Sequence, residues 1–137
     1  MYATTEDIKD RYSEDELWAM VGEDNNGNLN VAVITKAITD AGSEINVYLR
    51  KRYELPLENV DEFLTRICVD LAVAHLPVNG MSESELVTDR AKVARQLLSK
   101  IGKGEVLLDV DENKNESTPG NMLTYNEPSP FGDLNGF

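Results

Sequence analysis

Cysteine and histidine are nearly missing: the 137 residues hold one of each, Cys68 and His75. One cysteine cannot form an intrachain disulfide framework, and one Cys with one His cannot make a Cys/His zinc site within a single chain. Cys68 falls on an apolar helical face, which predicts a reducing intracellular compartment. Long apolar runs are absent too, and nothing approaches the roughly 20 residues that a membrane-crossing helix needs. The N-terminus MYATTEDIKD lacks the basic-then-apolar layout of a signal peptide, so a soluble, non-secreted protein is expected. Nor is there a GxxxxGK[ST] loop, a GxGxxG after a strand, an HExxH or a GxSxG. Positive charge is scarce: 13 Lys and Arg stand against 25 Asp and Glu, a net charge of −12. That balance argues against general binding to nucleic acid or anionic membranes, both of which need a positive footprint.

What is present suits one domain with a modest core. The apolar fraction is 41% and the charged fraction 28%, close to globular averages. The acidity is terminal. Residues 1–30 carry 8 acids against 2 bases and residues 105–137 carry 7 against 1, while residues 31–104 have 10 of each.

Periodicity predicts helices throughout the first three quarters. Thr4 or Thr5 is placed to cap a short first helix with Ile8 and Tyr12 on one side. Ser13 to Glu16 is a capping box opening a second, which is expected to bury Leu17, Met20, Val21 and Trp18 and to end at Gly22. The strongest pattern follows, Ile34, Ala37, Ile38, Ala41, Ile45, Tyr48 and Leu49, at steps of three and four. Asn30 is expected to cap this hub helix through its side chain, with Pro56 stopping it. Val60, Phe63, Leu64, Ile67, Cys68, Leu71, Ala72 and His75 form another stripe, ended by Pro77, with a turn at residues 78–80. Ser82 and Glu85 offer a second capping box. The last helix buries Leu86 or Val87, Ala91, Ala94, Leu97, Leu98 and Ile101, shows Arg90, Lys92, Arg95, Lys100 and Lys103 outward, and has Gly102 as its expected C-cap. Residues 105–110 read as one extended strand. Beyond Asp111 no helical or strand period remains, and Tyr125, Phe131, Leu134 and Phe137 are spaced like the anchors of a docked arm. The fold class is therefore all-α: a bundle of about five helices over residues 1–104, then an extended C-terminal arm over 105–137.

Candidate chemistry is thin. His75 lies seven residues from Cys68, about 10 Å of helical rise, too far for a nucleophilic pair. His75 reads as a satisfied core or boundary residue and Cys68 as a small buried hydrophobe. The Asp24-Asn25-Asn26-Gly27-Asn28 stretch lacks the first and twelfth ligands of a calcium loop, and an Asn/Gly turn explains it. No enzyme, metal or cofactor is expected. Arg50, Lys51 and Arg52, beside Tyr53, are the one basic cluster. Three readings stay open for it: a solvated helix end, a contact with an acidic partner or second copy, and a nucleic-acid contact.

The order of motifs adds a resemblance. MYAT, then Arg11-Tyr12 and Glu14-Asp15-Glu16-Leu17, lead into Asp40-Ala41, Glu44-Ile45, Tyr48-Leu49, Arg52-Tyr53 and Leu55-Pro56-Leu57, with KIGKGEVLL later. Over about residues 1–108 this resembles a family of Mu-like phage and prophage proteins that look like the helical head–tail connectors of tailed phages. One departure is that many members have a more acidic loop at Asp24 to Asn28. The resemblance implies a structural virion protein, made in the host cytoplasm and placed in the neck. It would form a homo-oligomeric ring, commonly a dodecamer, between the portal protein and a neck or tail completion protein. DNA would pass its axial channel without sequence-specific binding. The competing expectation is a phage DNA-binding or packaging accessory. Contacts with partners are expected at Arg50, Lys51, Arg52 and Tyr53, and along the arm at Tyr125, Phe131, Leu134 and Phe137.

Overall fold

A computed structural model describes residues 1–76 and 85–108. Pro77, the turn at 78–80, Ser82, residues 109–110 and the arm with Tyr125, Phe131, Leu134 and Phe137 lie outside the described residues. Among the described residues the fold is all-α, with five helices: α1 (Thr5–Arg11), α2 (Glu14–Val21), α3 (Val31–Leu49), α4 (Glu62–His75) and α5 (Glu85–Gly102).

Both short helices start as the sequence dictates. Thr4 and Asp7 form a reciprocal capping box at α1, and Ser13 and Glu16 form another at α2. Ile8, Tyr12, Leu17 and Met20 are buried, whereas Trp18 is only half-buried. Gly22 closes α2 at φ 69°, in the region where a Cβ would strain the backbone. An antiparallel bridge between Glu23 and Leu29 then pinches the Asn/Gly turn into a small loop.

Helix α3 differs from expectation at both ends. Asn30 occupies the N-cap position, but its side chain makes no capping bond, and its backbone N–H is held by the Gly22 carbonyl at 3.0 Å. At the other end α3 stops at Leu49, short of Pro56. The Leu49 carbonyl accepts from both Arg52 N and Tyr53 N, which rolls residues 50–53 into a turn. The cis Leu55–Pro56 bond lies just beyond it.

The most enclosed helix is α4. Asp61 caps it, its side chain accepting from Phe63 N at 2.8 Å. Leu64, Ile67, Cys68, Leu71 and Ala72 are buried, and so are Val69 and Val73, which a single stripe does not include. It is packed between α3 and α5 and is therefore wrapped on more than one side. Val60 stays outside this stripe, 40% exposed. Leu76 is extended at ψ 153°, as a residue ahead of proline prefers.

Helix α5 buries Val87, Ala91, Ala94, Leu98 and Ile101, and leaves Leu86 exposed. Its true stop is Gly104 at φ 82°, not Gly102. Gly104 N bonds the Ile101 carbonyl at 3.1 Å and Glu105 N the Lys100 carbonyl at 2.8 Å, the paired bonds of a Schellman motif. Residues 105–108 form no strand; they fold back until Leu108 is buried on the helical domain.

Candidate functional site

The basic cluster divides when its surroundings are known. Arg50 is exposed with Nε directed at the Asn46 carbonyl, 3.4 Å away, and Lys51 is exposed. Arg52 is half-buried, its guanidinium lying against Gly104 so closely that a Cβ there would overlap it. Tyr53 is 1% exposed, and its hydroxyl accepts the Leu108 N–H at 3.0 Å. As a partner contact Tyr53 is therefore corrected: it is core, and it anchors the chain that follows α5. No surface contact can use a ring buried to that degree without unfolding the turn.

What the sequence did not connect is that α3 and α5 end side by side. A Cβ on Gly102 would sit 2.8 Å from the Tyr48 carbonyl oxygen, so only glycine permits the two backbones this approach. The juxtaposition gathers exposed Arg50, Lys51, Lys100 and Lys103 at one pole of the bundle. Val47 and Leu107, 57% and 65% exposed, belong to the same segments. Two helix C-termini, each with a negative dipole end, favour cations here. The glycines at 102 and 104 were the available clue, since closely spaced glycines at a helix end signal a close backbone approach.

One ion-pair system joins the three long helices. Glu44 of α3 accepts from Arg95 Nε at 2.6 Å and Nη2 at 3.3 Å, and its Oε1 meets His75 Nε2 of α4 at 3.1 Å. The Arg95 bond, aided by His75, holds the Glu44 carboxyl below the ordinary carboxylate range despite partial burial. In return, the bond to Glu44 raises the Arg95 pKa. His75 is thus a boundary residue with an acid partner, and it does not meet Cys68. The Cys68 thiol instead faces the Ile38 carbonyl at 4.0 Å, and burial pushes it up to about 12, which leaves no thiolate for nucleophilic work.

A second pair ties the N-terminus down. Arg11 Nη2 meets Asp70 Oδ1 at 3.2 Å, and Arg90 Nη1 donates to the Tyr12 hydroxyl at 3.2 Å. Burial raises the Asp70 pKa even though Arg11, Arg90 and Arg66 all oppose the shift. Tyr2 donates its hydroxyl to Asn46, and its carbonyl accepts from Thr65 at 2.9 Å.

The Asp24–Asn28 loop satisfies its own backbone. Asp24 Oδ1 accepts from Asn26 N at 2.8 Å and from Asn28 N at 3.0 Å, an Asx turn in which the carboxylate serves the backbone. Among the described residues no three His, Cys, Asp or Glu side chains group closely enough to hold a metal, and no helix is long and apolar enough to cross a membrane. Open grooves are present among the described residues. One of about 450 Å³ runs between Tyr2, the Gly42–Asn46 face of α3 and the Leu55–Pro56–Leu57 turn. Another of about 420 Å³ lies between α2 and the start of α3, with Lys9, Tyr12, Glu14, Leu17, Leu29 and Val31 in its lining.

Among the described residues, fold and surface together define a small five-helix module with exposed cations where α3 and α5 end. The chain belongs to the Bacteriophage Mu Gp36 family, whose model matches residues 2–125. It is 30% identical over 129 residues to the Mu-like prophage FluMu protein gp36 of Haemophilus influenzae, covering 90% of this chain and 87% of that protein. It is also 28% identical over 130 residues to gene product J of Escherichia phage Mu, covering 94% and 91%.

Proposed function

We propose that this protein is a structural component of a Mu-like virion, a head–tail connector without catalytic activity. In this reading copies form a ring, of twelve by the family resemblance, between the portal protein and a neck or tail completion protein. DNA crosses the ring through an axial channel without being read. The observation that carries the proposal is how the central motif is used. Ala41, Ile45 and Leu49 are wholly buried, Glu44 links three helices, Tyr53 is sealed in the core, and Leu55 and Leu57 pack on it. The longest motif of the chain is thus spent on holding a rigid module together, and the surface is left for neighbours. An acidic surface also suits a DNA conduit, because like charge keeps phosphates from sticking.

The arm over residues 105–137 belongs to the same proposal. Its first four residues lie on the helical domain, with Leu108 seated at Tyr53. Tyr125, Phe131, Leu134 and Phe137 then anchor the remainder on a neighbouring copy or an adjoining ring. The basic pole supports a second reading, a DNA-binding or packaging accessory.

Purified particles decide between them. Particle reconstruction should show one ring of this chain at the neck, and a phage lacking its gene should accumulate heads that fail to join tails. Tailed, infectious particles from that deletion would refute the connector. Salt-dependent retention of duplex DNA at physiological ionic strength would favour the accessory.

A further inference from the structure

The two ends of α3 carry opposite charge and complementary shape. At its C-terminal end stand Lys51, Lys100 and Lys103, all exposed, with Arg50 beside them. At its N-terminal end is the groove of about 420 Å³ lined by Lys9, Glu14, Leu17, Leu29 and Val31. Lys9 is paired with Glu6 at 3.6 Å, and exposed Asp15 and Glu23 adjoin the lining, next to Glu14 and bridged to Leu29 respectively. The 19 residues of α3 separate these surfaces by about 28 Å, so one copy cannot satisfy both within itself.

We infer that the basic pole of one copy seats on the acid-rimmed α2–α3 groove of a second copy, head to tail. The inference rests on the connector reading and supplies its subunit interface. Four observations lead to it. Helix dipoles favour cations at this pole, and Arg50 and Arg52 lie on the Asn46 carbonyl and against the end of α5, whereas Lys51, Lys100 and Lys103 are exposed to a neighbour. Val47 and Leu107 are large apolar side chains exposed on the segments that carry those cations, and interfaces pair apolar anchors with a polar rim. The opposite groove offers an apolar floor beside Glu14, Asp15 and Glu23, and the Lys9 that also lines it is paired with Glu6. Finally, pole against pole or groove against groove would set like charges together, so a symmetric pair through either surface is repelled. A heterologous contact is attracted, and such a contact repeats into a ring when its rotation closes.

The test is the mass of the full-length chain by sedimentation, over a wide concentration range at low and high salt. Wild type should self-associate at low salt and dissociate at high salt. The double variant Lys51→Glu/Lys103→Glu and the double variant Glu14→Lys/Asp15→Lys should each lose association at least about tenfold, while an equal mixture of the two regains it. Circular dichroism confirms that both stay helical, since all four positions are exposed. A wild type that is monomeric at every concentration in low salt overturns the inference. So does association that neither variant changes, which would leave the ring intact but built on other surfaces. Duplex DNA binding lost in Lys51→Glu/Lys103→Glu, with self-association retained, would assign the pole to nucleic acid instead. Should the charge-swapped mixture associate while particles lack the protein, the interface stands and the connector role falls.

Discussion

Glu44 and Arg95 face each other across α3 and α5 at 2.6 Å, and His75 of α4 joins the same carboxylate from a third helix. Glu44 is 22% exposed and Arg95 43%, so solvent screens part of the attraction. Replacing Glu44 by Ala should lower stability by about 1 kcal/mol, below the 1.5–3 kcal/mol of a fully enclosed charged hydrogen bond. Urea unfolding of Glu44→Ala, Arg95→Ala and the double variant gives the coupling directly. A coupling indistinguishable from zero would mean that the pair fixes helix register without stabilising it.

The same pair sets a pH dependence. The folded-state pKa of Glu44 lies below its unfolded value. Its contribution is therefore fully present above the unfolded carboxylate pKa and is lost as pH falls through the folded one. The stability difference between wild type and Glu44→Gln should be greatest near neutrality and shrink on acidification through the carboxylate range. Melting temperatures across that range check the sign. A gap that widens in acid would show that Arg95 does not govern this carboxyl.

Gly102→Ala should be destabilising, although alanine is ordinarily favoured over glycine within a helix by roughly 0.5–1 kcal/mol. The new methyl would meet the Tyr48 carbonyl oxygen at 2.8 Å, and that oxygen belongs to the backbone of α3, which has no rotamer to yield. Only separation of the two helix ends relieves the overlap. Equilibrium unfolding decides the sign, and an increase in stability would disprove the close approach. Alanine at an exposed position of α5 such as Gln96 provides the reference for propensity alone.

Much of this fold could be read from spacing, because burial imposes a period. The buried residues of α3 from Ile34 to Leu49 lie on the anticipated stripe, except that Tyr48 is half-buried; the Ser13 capping box formed as expected, and Thr4, one of two candidate caps, closes a further box with Asp7. Four things were not legible. Asn30 lacks its capping bond because the Gly22 carbonyl and the pinched loop before α3 set its backbone at φ −77°, ψ 75°. Val69 and Val73 fell outside the stripe because neighbours on two sides bury more of α4 than any single face. The basic pole stayed hidden because Arg50–Arg52 and Lys100–Lys103 are joined by backbone approach at glycine, a signal with no periodicity. Tyr53 was assigned to the surface by its basic neighbours, yet the turn closed on the Leu49 carbonyl points its ring inward.

Cys68 should resist modification in the native protein. It is fully buried, and its thiol is pushed up to about 12 by that burial, so the thiolate needed for alkylation is nearly absent at pH 8. Iodoacetamide should label no site in native protein and one site in urea, read by intact mass. Native labelling at the rate of a free thiol would require α4 to open from α3 on the timescale of the reaction.

Tyr53→Phe isolates how the chain leaves the helical domain. The substitution keeps the buried ring and removes only the hydroxyl that accepts the Leu108 N–H at 3.0 Å. An unsatisfied buried N–H costs about 1–3 kcal/mol, whereas the ring's packing is unchanged. Two outcomes are separable by hydrogen exchange. Global loss of protection would mean that the bond supports the whole core. Faster exchange confined to residues 105–108, with α3 to α5 protected as in wild type, would mean that it only fastens the root of the arm. The second is expected, because Leu108 is the last described residue to pack on the core and the five helices are closed without it. Unchanged protection at Leu108 in the variant would show that the hydroxyl is not what holds it.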